Sequence, residues 1–441
     1  MAFDSIGFTI KTVSERTGVS VHTLRAWERR YGVPSPHRDT DNRYRLYDDN
    51  DIADVMFIKQ QVEAGVAPAQ ASTLLRLRHE KNVSTNAIES VQPIISLQTN
   101  LLEAFARSDE SSARQLLDEA FALFTPEQVA LSIIEPTMKE IGDRWVRTQM
   151  TVWQEHLASN VIQQKLFAVL QSQPALPSTM PLMAVACAPL EEHQLGLIIY
   201  ALLARRQGWR VAYLGQGTPL EDMVDLARTS KPNAIGVSVT TVVGLAGLIP
   251  WLDAAKRPTA PLVLGGRILN SLPSLHAHLP GEYLGADTLS AVQQLATVKM
   301  RAEYWSPSRR ARQVVNEIQR MRLKLAGETV QTFIDSLPAK RHHAASVANV
   351  NFATLFLIDA LSCALAFDVP DLMGELQQWL KDTMSPRAVM PQMIGKHLNV
   401  FEQAISKLMN KEHARLITPL LERLKNHTFR AEDGQGRTPI K

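Results

Sequence analysis

Pro181-Leu-Met-Ala-Val-Ala-Cys-Ala-Pro189, Leu190-Glu-Glu-His-Gln-Leu-Gly196 and Leu197-Ile-Ile-Tyr-Ala-Leu-Leu-Ala204 follow one another without a break. An apolar run, a short polar segment and an amphipathic run predict a strand, a loop and a helix. His193 falls in the loop at the carboxyl end of the strand, where open α/β sheets bind ligands. Glu191, two positions earlier, can accept one ring N–H and leave the other nitrogen as a metal ligand. Gly196 lets a bulky ligand lie against the backbone.

The next runs repeat the alternation. Trp209 to Gly215, Ala234 to Thr240, Pro261 to Gly266 and Glu282 to Gly285 read as further strands, with Pro219-Leu-Glu-Asp-Met-Val224 opening a helix between two of them. Apolar strands alternating with helices imply a parallel sheet covered on both faces. Glu191-x-His193-x-x-Gly196 resembles the Asp-x-His-x-x-Gly signature of cobalamin-binding domains, with Glu where Asp is commoner. The resemblance implies a Rossmann-like cobalamin domain over 181–298, with His193 as lower axial cobalt ligand. It also implies that Ser238, Thr240, Gly265 and Gly266 line the slot for the nucleotide tail.

The chain has 441 residues, too many for one ordinary core, so several α and α/β domains are expected. Its formal net charge is only +3, so nucleic-acid binding would need a local basic patch. Two cysteines, Cys187 and Cys363, are too few for a disulfide framework and suit a reducing cytoplasm. No signal peptide and no apolar run of membrane-spanning length are expected.

Residues 1–81 show a different pattern. Phe8 to Gly18 and Val21 to Tyr31 read as two short helices joined through Gly18-Val-Ser20, with Ser20 as N-cap and Gly32 as stop. Leu24 and Trp27 should face inward. His22, Thr23 and Arg25 lie on the exposed early part of the second helix, which reaches base edges in such motifs. His37 to Tyr47 reads as a polar hairpin that can place Arg38, Arg43 and Arg45 on phosphates beside Tyr44. Asp48 to Asp51 caps a helix running to about Ala64, and Pro68 to about Lys81 reads as another. The run resembles the MerR family of winged-helix transcription factors and implies a double-stranded DNA operator.

Residues 93–173 are helical throughout and predict a four-helix bundle, with Leu101, Leu102, Phe105, Leu116, Leu117, Ala120 and Phe121 at helix-face spacing. Trp145 and the pair Glu155-His156 are separated by nine residues. This spacing resembles the Trp-x9-Glu-His motif of the light-sensing, adenosylcobalamin-dependent repressors of carotenoid genes. The resemblance implies adenosylcobalamin as cofactor, with Trp145, Glu155 and His156 around its adenosyl group. In that family a His after the motif Trp can take the cobalt once the adenosyl group has gone; here Val146 stands in that place.

Residues 305–425 predict an all-helical domain. A helix to about Gly327 is followed by others over 328–336, 351–366, 371–383, 388–409 and 414–425, and 426–441 should be a disordered tail. Two readings stand for this domain. It is either a dimerisation bundle or, on a faint resemblance to globin-like sensor domains, a site for a linear tetrapyrrole.

The expectation is a cytoplasmic, non-enzymatic, light-responsive regulator that forms homo-oligomers under cobalamin control. The alternatives are a DNA-binding regulator whose empty cobalamin fold serves protein interaction, and a dual cobalamin and bilin photoreceptor. A mutase would need a barrel of roughly 250 residues, for which no segment is left.

Overall fold

A computed structural model describes residues 8–38, 45–63, 66, 68–69, 71–72, 75, 91–300, 303–337, 344–384 and 391–429. The predicted positions Arg43 and Tyr44, most of the expected helix at 68–81 and the tail after 429 lie outside them. The chain divides into two compact units, Met1–Asp143 with Met150–Ala175, and Arg144–Gln149 with Leu176–Lys441.

In the first unit, α1 (Ile10–Thr17) and α2 (Val21–Tyr31) end at Gly18 and Gly32, both left-handed at φ 68° and 73°. Ser20 caps α2 by accepting from the Thr23 N–H. Strands β1 (His37–Arg38) and β2 (Arg45–Leu46) pair antiparallel, and Phe8 adds a bridge to Tyr47. Helix α3 (Asp49–Glu63) follows. Val13, Leu24, Trp27, Tyr47, Val55 and Ile58 form the core of this winged helix-turn-helix.

The bundle consists of α4 (Val91–Ala106), α5 (Glu110–Leu123), α6 (Glu135–Val146) and α7 (Val152–Ser172). The helical run expected over 93–173 is not regular throughout. Val129–Ile134 is a π-helical turn in which the Glu135 N–H reaches the Ala130 carbonyl. Leu101, Phe105, Leu117 and Ala120 are buried as their spacing predicts.

In the second unit five parallel strands run in the order β4 (Arg210–Gly215), β3 (Leu182–Cys187), β5 (Ala234–Ser238), β6 (Leu262–Gly265) and β7 (Glu282–Tyr283). Central β5 is buried along its whole length, which explains its unbroken apolar sequence. The connections are α8 (Leu195–Arg206), α9 (Leu220–Ser230), α10 (Val242–Gly247) and α11 (Arg267–Ser271), with α12 (Thr288–Gln294) after β7. The chain order reverses between β3 and β5, and this switch point opens the crevice where such sheets bind ligands.

Five helices complete the unit: α13 (Arg309–Asp335), α14 (Ala344–Ala366), α15 (Leu372–Met384), α16 (Pro391–Leu408) and α17 (Lys411–Phe429). The expected break at Gly327 does not occur. Leu325, Ala326, Thr329 and Phe333 keep one buried stripe across it, so α13 runs on. Arg322 pairs in bidentate fashion with buried Asp359, at 3.3 and 2.8 Å, and holds α13 to α14. Val347–Ala366 is, contrary to expectation, long and apolar enough to cross a membrane by length and composition. Here Leu357, Ile358, Leu361 and Ala364 are core residues.

That core is not separate from the sheet. Ile235, Val237, Leu245, Leu248 and Leu264 belong to the same buried cluster as Ile318, Ile358, Leu361, Phe401 and Leu421. The Trp305 indole N–H donates to the Ala366 carbonyl at 3.0 Å, and its ring packs on His278 at 4.2 Å. Ile358→Ala should therefore cost about 2–5 kcal/mol. Amide exchange should accelerate in β5 together with α14; acceleration confined to residues 309–429 would show two independent cores.

Candidate functional site

The turn after β3 brings the Glu191 N–H to the Ala188 carbonyl at 3.0 Å and turns the Glu191 side chain inward, while Leu190 takes a positive φ of 63°. Glu191 is 1% exposed, rare for a carboxylate without partners. It has five donors. Oε1 accepts from the His193 N–H at 3.0 Å and faces His193 Nδ1 at 2.6 Å. Oε2 accepts from Thr240 N and Thr241 N, both at 2.8 Å, and from Thr241 Oγ1 at 2.9 Å. Burial alone would raise the Glu191 carboxyl, but these hydrogen bonds outweigh it and bring it to about 2.

Glu191 thus stays ionised and fixes the ring by its Nδ1 edge. Nε2 is the nitrogen that Glu191 does not engage, and the imidazole is 64% exposed at the carboxyl edge of the sheet. This is the arrangement that presents Nε2 as a metal ligand of raised basicity. Among the described residues no group of three or more His, Cys, Asp or Glu could hold a metal. His193 suits a cofactor that brings its own metal with most of its coordination filled.

The positions that the resemblance singled out lie at or next to the ends of β5 and β6 and at the start of α8. The Ser238 carbonyl accepts from the Ala188 N–H at 2.9 Å and ties the β3 and β5 ends together. A Cβ on Gly196 or Gly265 would meet no atom within 4 Å, so protein packing requires neither glycine and both leave open surface. Gly266 differs: φ is 131° and a Cβ would fall 2.2 Å from the Val239 carbonyl oxygen, so no other residue fits. Below the loop, burial pushes the Cys187 thiol up to about 12, with the Glu191 charge adding to it. That thiol stays protonated.

Three contributors escaped the sequence reading. Thr241 supplies two of the donors to Glu191 and caps α10, accepting from the Gly244 N–H at 3.2 Å. Its signal was the third hydroxyl in Ser238-Val-Thr-Thr241, a strand end running into a helix start. Gln194 accepts from the Tyr213 hydroxyl at 3.2 Å, and Gln216 donates to the Glu192 carbonyl, tying the loop to the β4 end. Nothing local marked these two.

Trp145 lies in the last turn of α6 and is half-buried. Glu155 and His156 sit in the first turn of α7, with Glu155 Oε2 3.6 Å from His156 Nε2. On α2, His22 and Arg25 are exposed as expected, whereas the Thr23 hydroxyl is bonded to Ser20 Oγ at 2.8 Å. Arg38 pairs with Arg45 in the wing. Arg45 also forms an ion pair with Glu28 of α2 at 3.2 Å, and the Tyr47 hydroxyl donates to the other Glu28 oxygen at 3.3 Å. Glu28 therefore anchors the wing to the recognition helix, a role its sequence position did not reveal.

Three family descriptions match the chain: a MerR HTH family regulatory protein over 8–77, and a B12 binding domain over 97–170 and again over 181–292. The HTH-type transcriptional repressor CarH of Myxococcus xanthus is 33% identical over 236 residues, which is 52% of this chain and 78% of that repressor. The chain belongs to this family of MerR-type regulators with B12-binding domains. The repressor CarA of the same organism is 28% identical over 260 residues, covering 58% of this chain and 85% of its own. The regulator MlrA of Escherichia coli (strain K12) is 40% identical over 68 residues, only 15% of this chain and 28% of its own. A regulator of this family is a DNA-binding, B12-binding protein and not an enzyme.

The Glu191 charge makes a pH prediction for the protein without cofactor. A carboxyl held at about 2 against an ordinary 4.5 stabilises fully above the higher value, and that contribution fades as pH falls from there toward 2. It amounts to about 3 kcal/mol. Urea unfolding of wild type and Glu191→Gln should show a stability gap at pH 7 that closes between pH 5 and pH 2. A gap independent of pH would mean that the carboxylate charge is not what stabilises the loop.

Proposed function

We propose that the chain is a light-responsive transcriptional regulator whose assembly and DNA binding are set by adenosylcobalamin. The observation that carries this reading is the His193 imidazole, held by a buried carboxylate and exposed at the switch point of the sheet. The residues fit the group. His193 offers one oriented nitrogen, Gly196 and Gly265 leave open surface beside it, and Gly266 keeps the β6 end close to the β5 end. Bound adenosylcobalamin would supply a cobalt–carbon bond that light can cleave.

The chain's residues do the rest. His193 would ligate the cobalt through Nε2, and Glu191 fixes its tautomer. Ser238, Thr240, Gly265 and Gly266 line the path of the nucleotide tail. On the family pattern, Trp145, Glu155 and His156 are the residues for the adenosyl group, the indole by stacking on adenine and the carboxylate by accepting from ribose hydroxyls. His22, Thr23 and Arg25 read the major groove, and Arg38, Arg43, Tyr44 and Arg45 bind the backbone. Paired copies are needed to span two half-sites, so a change of oligomer changes DNA affinity.

For residues 305–425 we propose support of the sheet and assembly rather than tetrapyrrole capture, because the described helices share the sheet's core. A shifted red absorption band after addition of biliverdin to the full-length protein would reverse that preference.

The deciding experiment is His193→Ala incubated with adenosylcobalamin in the dark. The variant should bind more weakly and lack the spectrum of a histidine-ligated corrin. Wild-type protein that takes up no cobalamin would instead support the empty-fold reading. A second expectation concerns Val146, which has no donor atom where the family can use a His. After illumination the protein should show no second imidazole ligand supplied from position 146. A tightly held two-histidine spectrum, lost only in His156→Ala, would promote His156 to that role. On the DNA side, Arg45→Ala should weaken all sequences alike and lower the salt slope by about one. Weakening at a single base position would make Arg45 a base reader.

A further inference from the structure

Helix α10 has six residues, too few to hold its own position. Its neighbours fix it, and they lie on two sides. On one side is the His193 loop. A Cβ on Gly244 would fall 2.8 Å from Glu191 Oε2, and one on Gly247 would fall 2.8 Å from the Pro189 carbonyl oxygen. At its start Thr241 both caps the helix and donates twice to Glu191.

On the other side is α14. Val242, Leu245 and Leu248 share a core with Leu357, Leu361 and Ala364, and the Cys363 thiol, itself fully buried, donates to the Val242 carbonyl at 3.7 Å. Helix α14 is in turn locked to α13 by Arg322–Asp359 and by Gln319 donating to Ser362 Oγ at 2.9 Å. A close-packed interior does not absorb displacement, so a shift of α14 must move α10 or open a void.

We infer that α14 acts through Cys363 and α10 as a positioning element for His193. The C-terminal helices then set how firmly Thr240 and Thr241 hold Glu191, and so how well the imidazole is presented. The inference rests on the proposed role of His193 as lower ligand, and it gives residues 305–425 a part in the cofactor site that they do not touch. By reciprocity, a cofactor that orders the His193 loop also orders α14.

The test uses the full-length protein. Cys363→Phe drives a larger ring against α10, Cys363→Ser keeps the size and a donor, and Ile58→Ala weakens the separate core of the helix-turn-helix. With adenosylcobalamin in the dark, Cys363→Phe should bind about fivefold more weakly or worse and lose part of the histidine-ligated spectrum. Cys363→Ser and Ile58→Ala should keep the wild-type spectrum. Without cofactor, the Thr240 and Thr241 amides should exchange faster in Cys363→Phe and in the milder Cys363→Ala, but not in Ile58→Ala. The milder variant carries the test if the Phe variant does not fold. Wild-type spectra and wild-type exchange in Cys363→Phe and Cys363→Ala overturn the inference. If His193→Ala also keeps the wild-type spectrum, the lower-ligand reading has failed, and the amide exchange alone then decides the coupling.

Discussion

A single buried carboxylate organises the cobalamin half of this protein. Glu191 gathers donors from its own loop and from the loop after β5, so the ends of β3 and β5 are closed over one charge. An unpaired carboxylate there would be prohibitive, and removing any donor leaves part of that cost exposed. The same charge orients the imidazole. The electrostatic requirement that keeps the loop folded and the orientation of the imidazole are therefore one constraint.

The constraint reaches into the sequence in a specific way. Gly244 leaves room for the acid: a Cβ there would fall 2.8 Å from Glu191 Oε2 and 3.2 Å from the Glu191 Cβ. Gly266 is of a second kind, with a backbone conformation and a close approach to Val239 that exclude any side chain. Gly196 is of a third kind, since a Cβ there would meet no protein atom within 4 Å.

The strands were legible because parallel strands buried on both faces are continuous apolar runs. The recognition helix was legible because its caps are local: Ser20 at one end, Gly32 at the other. Glu191 and His193 were legible as a pair two residues apart. Thr241 was not, because it meets Glu191 from fifty residues away and only the order of strands brings it there. Glu28 was hidden for the same reason, its partners Arg45 and Tyr47 lying across the wing. Gly327 was misread because a glycine reads locally as a helix end. The stripe of Leu325, Thr329 and Phe333 overrides that local cost of roughly 1 kcal/mol.

The apolar stripes of α13 and α14 announced a buried face but not what would bury it, and this limit is general. A helical stripe specifies an area and a direction, never the identity of the surface opposite. Two readings, a dimer partner and a tetrapyrrole, were open for that reason. The fold gives a third answer: the two helices pack mainly on each other, α13 packs as well on α16, and α14 on the sheet's own connection, α10. A helical extension that shared no core with the sheet could influence cofactor binding only by changing the oligomer. One that shares a core with α10 has a second route, because Thr241 belongs at once to the helix that α14 packs against and to the shell of the charge that holds His193.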